Sequence, residues 1–188
     1  MKVLLLNGSP RKTGCTYTAL CEIASELNKA EIETEIFQAG DPSKENVTAA
    51  AAKLKDADAI VVGSPVYWAS PSGQIIEFMD KLCSVAGDDL LFKPAAAVAS
   101  ARRAGTTATL EVLTKYFTYH QMPVISSNYW PMVHGNTPAE VKQDLEGMQI
   151  MRTLGRNMAW ILNCIQAGKE AGYAHPATEE KIKTNFIR

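Results

Sequence analysis

The chain alternates short continuous apolar runs with longer stretches of helical periodicity. Residues 3–6 (Val-Leu-Leu-Leu) are apolar without a break and stop at Asn7-Gly8, the pattern of a strand buried on both faces. Leu20, Ile23, Ala24 and Leu27 fall at i, i+3, i+4 and i+7, which predicts a helix over residues 16–29. Ile32, Thr34 and Ile36 alternate with more polar neighbours, so residues 32–37 read as a strand nearer a sheet edge. A short helix is expected over 48–56 with Ala51, Ala52 and Leu54 as its stripe, then a central strand over 57–63. Residues 64–72, which hold two prolines, read as a loop, and residues 73–86 as a helix with Ile75, Ile76, Met79, Leu82 and Cys83 on one side. The alanine-rich stretch 95–99 is poor strand composition and is assigned as the fourth strand from its position. A helix over 106–120, a fifth strand starting at 123–125, one long helix over 138–167 and a tail ending in Thr184-Asn185-Phe186-Ile187-Arg188 complete the pattern. Strands alternating with helices imply a parallel sheet covered on both faces, whose ligands bind beyond the carboxyl ends of the strands.

Composition narrows the class. With 188 residues, 46% apolar and 21% charged, the chain fits one domain over residues 1–188, with no repeat or linker. Nineteen basic against twenty acidic residues give a net charge of −1, so no basic field recruits nucleic acid. The apolar runs fall far short of the ~20 residues that cross a bilayer, and the first residues lack the apolar core of a signal peptide. Cysteines 15, 21, 83 and 164 form no C-x-x-C pair, so no metal site is expected, and a cytoplasmic chain with reduced thiols is.

Three loops then draw attention. Asn7-Gly8-Ser9-Pro10-Arg11-Lys12-Thr13-Gly14-Cys15-Thr16 joins the first strand to the first helix, whose start offers unpaired N–H groups and a positive dipole end. Ser9, Thr13 and Thr16 add hydroxyls, Gly8 and Gly14 permit close backbone approach, and Arg11 adds charge. The loop matches neither G-x-x-x-x-G-K-[ST] nor G-x-G-x-x-G, so a terminal monophosphate suits it better than a triphosphate or a pyrophosphate. In Ser64-Pro65-Val66-Tyr67-Trp68 a flat ligand could lie against the Pro65–Trp68 backbone and one of the rings; capping of the core or filling of a subunit interface is an equal alternative for Trp68. Ser100-Ala101-Arg102-Arg103-Ala104-Gly105 again precedes a helix start; its two arginines could be only a solvated corner, or at this position could favour a ligand that gains negative charge on reduction.

Asn7 to Gly14, Gly63-Ser64-Pro65-Val66-Tyr67-Trp68, Gly73 to Lys81 (GQIIEFMDK) and Arg152-Thr153-Leu154-Gly155-Arg156-Asn157-Met158-Ala159 resemble the NADPH-dependent FMN reductase and iron–sulfur flavoprotein branch of the flavodoxin-like superfamily. The resemblance spans nearly the whole chain. It implies a three-layer α/β/α sandwich with a five-stranded parallel sheet of order 2-1-3-4-5. It also implies FMN, with Ser9, Arg11, Thr13, Gly14, Cys15 and Thr16 at the phosphate and ribityl end. Pro65, Val66, Tyr67 and Trp68 would flank the ring, and Ser100, Ala101, Arg102, Arg103 and Gly105 would meet its pyrimidine side. Such proteins form homodimers or homotetramers with the flavin near a subunit interface. Three departures stand out: Cys15 where the family often has Asn, Ile76 where Lys is common, and none of the clustered cysteines of the iron–sulfur members, so no cluster is expected.

The chemistry this implies is hydride transfer from NADH or NADPH to FMN and on to a small acceptor: a quinone, a nitro- or azo-aromatic, free flavin or a ferric complex. The cofactor carries that chemistry, so no catalytic side chain is assigned; Tyr67, Trp68, Arg102 and Arg103 are supporting candidates. The rival is a flavodoxin-type electron carrier, which acidic surroundings would suit better than the two arginines of the third loop. His120, His134 and His175 are isolated in sequence, and only His134 lies where it could reach a site. Cys15 at a helix start could have a lowered pKa, although packing or hydrogen bonding is favoured for it. The long helix carries apolar residues on more than one face, and with Tyr129-Trp130-Pro131-Met132 it suggests an interface.

Overall fold

The computed structural model describes residues 1–186; of the tail read above, Ile187 and Arg188 lie outside the described residues. The order of elements is β1 (Lys2–Asn7), α1 (Cys15–Lys29), β2 (Glu33–Gln38), α2 (Lys44–Lys55), β3 (Ala59–Tyr67), β4 (Ser70–Pro71), α3 (Gly73–Ala86), β5 (Ala95–Ala101), α4 (Thr106–Tyr119), β6 (Met132–His134), α5 (Pro138–Gln143) and α6 (Leu145–Glu170). A single 3₁₀ turn, Asp88–Leu90, lies between α3 and β5. The sheet runs β2-β1-β3-β5-β6 with every pair parallel, and β4 folds back antiparallel on the end of β3. With the two-residue β4 left out of the count, this is the expected order 2-1-3-4-5.

Alternation along each strand divides the core in two. Leu4, Leu6, Ile60, Val62, Ala95, Ala97 and Ala99 face α2, α3 and α4. Val3, Leu5, Ala59, Val61, Ala96 and Val98 face α1 and α6. All seven residues of β5 are buried, and its small side chains suit a strand covered on both faces. α6 is tied to α1 beside its apolar seam by Arg152–Glu22 at 2.6 Å and Arg156–Glu26 at 2.7 Å.

Five local expectations change. α2 begins at Lys44, because Ser43 accepts from the Asn46 N–H and caps it; its buried stripe is Val47, Ala50 and Leu54, not Ala51, Ala52 and Leu54. Residues 64–72 are not simply a loop, since β3 continues to Tyr67 and turns into β4. The fifth long strand is residues 132–134; around residue 124 there is only one bridge, Val124 to Ala95, before the chain leaves the sheet. The long helix is two helices. Asp144 breaks it by capping α6: its Oδ1 accepts from Gly147 N at 2.9 Å and its Oδ2 from His134 N at 2.7 Å, which fastens the helix to the last strand. Met132, expected near an interface, packs into the core at 9% exposure.

Candidate functional site

The loop after β1 is braced from inside. Asn7 is buried; its Nδ2 donates to Gln38 Oε1 at 2.8 Å and to Lys12 O at 3.2 Å, and its Oδ1 accepts from Ser9 N at 3.3 Å. Gln38 Nε2 donates in turn to Ser9 O. Ser9 Oγ accepts from Arg11 N at 3.1 Å, which leaves its own proton free to donate. Gly8 donates to Gly63 O at 2.8 Å, and a Cβ at Gly8 would lie 2.7 Å from that oxygen and from Ile75. Only glycine permits this contact between the first two loops. Asn7 and Gln38 carry no signal of their own in the sequence, because their role depends on β1 and β2 being neighbours.

The second loop is held by two serines. Ser64 Oγ accepts from Ser72 N at 3.0 Å, and Ser72 Oγ donates to Gly8 O at 3.0 Å while capping α3. Between them, β3 and β4 form a hairpin with Trp68 (φ 51°) and Ala69 (φ 60°) at its tip, both left-handed. Such a turn prefers Gly, Asn or Asp. Gly105 (φ 90°) lets the third loop press against the hairpin: a Cβ there would lie 2.6 Å from Ala69 Cα. The hairpin is therefore a fixed post, and the Trp68 side chain at its tip is 98% exposed.

A cleft of about 190 Å³ opens where the three loops meet. Ser9, Arg11, Cys15, Thr16, Pro65, Val66, Tyr67, Ser100, Ala101 and Arg102 line it, together with Gly135 and Asn136, which the sequence reading did not single out. Thr13, Gly14, Trp68, Arg103 and Gly105 stand beside it rather than in its lining. The floor is closed by Thr16 Oγ1 and Ser100 Oγ, 2.7 Å apart and both buried. Gly135 reaches the cleft because its N–H continues the β5–β6 pairing onto Ala101 O.

Helix capping sets two of the helix starts at this end of the molecule apart. α2, α3, α5 and α6 begin with a side-chain cap, from Ser43, Ser72, Thr137 and Asp144. α1 and α4 begin at Gly14 and Gly105 with none. These two helices start beside the cleft with no side chain accepting from their first-turn N–H groups, the donors that attract an anion at a helix start. The thiol there behaves otherwise than its helix-start position suggests. Cys15 Sγ lies 3.6 Å from Gly135 O, and burial pushes its pKa up, against smaller opposing effects of its own backbone N–H and Arg11.

Comparison with known proteins assigns the family. Residues 1–137 match the family described as NADPH-dependent FMN reductase. The chain belongs to this family. The chain is also 30% identical over 193 residues to an iron–sulfur flavoprotein of Methanocaldococcus jannaschii, a match covering 88% of this chain and all of that one. A WrbA-like flavodoxin from Agrobacterium tumefaciens has the same fold at 21% identity, with a TM-score of 0.65 over 87% of this chain and 96% of that one. So does FerB, an NAD(P)H:(acceptor) oxidoreductase of Paracoccus denitrificans, at 18% identity and a TM-score of 0.63 over 84% and 96% of the two chains.

The donor set at the cleft suits the phosphate end of the family's flavin: hydroxyls and a guanidinium converge beside the uncapped start of α1, and the uncapped start of α4 stands at the cleft's edge against Val66 and Ala69. An iron–sulfur cluster does not fit the cysteines. Cys15 and Cys21 lie on α1, Cys83 lies on α3 across the sheet and Cys164 on α6, whereas four thiolates must converge on such a cluster.

Proposed function

We propose that the chain binds FMN at the carboxyl ends of β1, β3 and β5. There it would act as an NAD(P)H oxidoreductase, delivering hydride to a small acceptor: a quinone, a nitro- or azo-aromatic, free flavin or a ferric complex. The observation that carries this reading is that α1 and α4, both starting by the cleft, are the two α-helices without a side-chain cap among the described residues. FMN, when bound, supplies the hydride chemistry.

The residues of the chain bind and orient. Ser9 and Thr16, the first-turn N–H groups of α1 and the Arg11 guanidinium would hold the phosphate. Thr13 and Gly14 shape that turn from outside the cleft. Pro65 and Val66 offer a stiff wall, and Tyr67 a partly exposed ring, to one edge of the isoalloxazine. Ser100, Ala101 and Arg102 sit at the other edge. There the start of α4 and the Arg102 charge would favour the negative charge that reduction develops. Gly105 brings that helix start against the hairpin, and Arg103 adds positive charge at the rim. The cleft of about 190 Å³ is smaller than the roughly 300–1,000 Å³ of enclosed ligand sites, so it would hold the phosphate end and leave the ring to the open rim. Trp68, exposed at the hairpin tip beside the cleft, would be available to a nicotinamide or acceptor. The open rim and the exposed Tyr129, Trp130 and Trp160 support a homodimer or homotetramer. The free cysteines suit a cytoplasmic protein.

An absorbance spectrum of the purified protein followed by anaerobic addition of NADH and of NADPH tests this. Flavin bands that bleach promptly with either are expected. Bands unchanged by both, with photoreduction halting at a stable one-electron state, would transfer the protein to the carrier class.

A further inference from the structure

A cavity of about 550 Å³ lies at the amino-terminal edge of the sheet, the end opposite the cleft. Its floor is apolar: Pro94 and Pro123 beside the sheet, Leu162 and Ile165 near the end of α6. Its outer wall is the tail segment 173–176. The tail reverses at Gly172 (φ 88°), where Tyr173 N donates to Gly168 O at 2.9 Å. Side-chain contacts help to pin it. The His175 ring stacks on Phe92 with centroids 4.7 Å apart, and Lys181 Nζ donates to Tyr119 Oη at 2.8 Å.

The polar groups of the cavity are unequal. Lys55, Lys93 and Lys169 line it against Asp56 and Asp58, and the Asp58 carboxylate already accepts the Lys2 N–H at 2.8 Å. Lys93 is half-buried. Its amine has three donors, and among the described residues its one hydrogen-bond acceptor is the Leu54 carbonyl. Burial pushes its pKa down, even though Asp89, Asp58 and Asp56 act the other way. An ammonium group drawn partly out of water beside an apolar floor is relieved by an anion whose remaining surface is apolar. The volume lies within the usual range for small-ligand sites.

We infer that this cavity binds an organic carboxylate with a compact apolar body, its charge at Lys93 and its body on Pro94, Pro123, Leu162 and Ile165 under the tail. This site is separate from the flavin cleft and does not rest on the reading of that cleft.

Calorimetric titration with 1-naphthoate, with and without saturating FMN, tests it. One equivalent should bind in both conditions. The neutral 1-naphthylmethanol and the variant Lys93→Met should each bind about tenfold more weakly, the effect of losing a charge-assisted contact, while Lys93→Arg keeps most of the affinity. Ile165→Trp should fill the cavity and abolish binding, with an unchanged melting profile as the control for folding. The inference is overturned if no heat appears, if FMN competes with naphthoate, if the neutral alcohol binds equally well, or if folded Ile165→Trp binds like the wild type. It also fails if naphthoate binds only after the protein dissociates on dilution, since the cavity is then covered by a second copy of the chain.

Discussion

Thr16 Oγ1 on the first turn of α1 and Ser100 Oγ near the end of β5 lie 2.7 Å apart, a hydrogen bond that joins two loops across the floor of the cleft. Both residues are buried, at 1% and 3% exposure, so neither hydroxyl has water to replace the other. Thr16→Val keeps the volume and removes the bond. It should cost about 1–2 kcal/mol of stability by leaving Ser100 unsatisfied, and should weaken FMN binding about tenfold. Urea unfolding and a flavin-fluorescence titration measure the two effects.

The hairpin carries opposite predictions at two positions. Ala69 sits at φ 60°, where glycine is at ease, so Ala69→Gly should raise stability by about 0.5–1 kcal/mol. Gly105→Ala should lower it by about 2 kcal/mol or more, because the new methyl combines a left-handed backbone with a 2.6 Å approach to Ala69 Cα. Thermal melts of the two variants should therefore move in opposite directions.

Trp68 separates structure from use. Its side chain is 98% exposed, so Trp68→Ala should alter stability by less than about 0.5 kcal/mol. FMN affinity should stay as it was while the KM for acceptor or nicotinamide rises. Steady-state kinetics with FMN saturating reads that separation.

Most of the fold follows from local pattern. The bounds of α3 are those expected, 73–86, with Ser72 as the cap, although its buried face is Ile75, Phe78, Met79, Leu82 and Ala86, and the expected Ile76 and Cys83 are half-buried beside it. The departures come from side chains whose partners are distant in sequence. Asp144 reads as one more polar position in a long helix until His134 N is beside it. β3 reads as ending at Gly63 because Pro65 and Pro71 usually punctuate, yet Val66 and Tyr67 pair with Pro71 and Ser70 at the sheet margin. Ten of the fifteen residues named from the three loop motifs line the cleft, because each motif follows a buried strand, while Thr13, Gly14, Trp68, Arg103 and Gly105 fall beside it. Gly135 and Asn136 could not be named from sequence, since the loop they occupy becomes part of the cleft only through the short β6 pairing.

The thiols should titrate in order of access. Cys164 is exposed and should react first with Ellman's reagent. Cys83, whose thiol burial pushes up to about 12, should react last in the folded protein. Cys15, raised by burial and lining the cleft, should slow further when FMN is added. Counting thionitrobenzoate release against time, with and without FMN, shows the order.

Glu26 gives a pH signature. Its side chain is 5% exposed, and hydrogen bonds from Lys29 and Arg156 hold its pKa below the ordinary 4.5. A carboxylate lowered on folding stabilises above its unfolded pKa and loses that contribution as pH falls through the folded one. Glu26→Gln should therefore melt lower than the wild type at neutral pH, by about 2–4 °C for a loss of about 1 kcal/mol. The gap should close progressively below pH 4.5, and melting curves at a series of pH values would show it.

The missing caps at Gly14 and Gly105 make occupancy of the cleft a matter of thermodynamic linkage. Side chains complete the starts of the other described α-helices, whereas on the proposed reading the donors of these two would be completed by the bound ligand. A ligand there supplies to the native state what Ser43 or Ser72 supplies elsewhere, and the unfolded chain has no equivalent. Each tenfold rise in free ligand above its dissociation constant then adds about 1.4 kcal/mol to folding. Proteolysis of the starved protein should accordingly begin near residues 10–14 and 102–105, the two helix entries left without a partner.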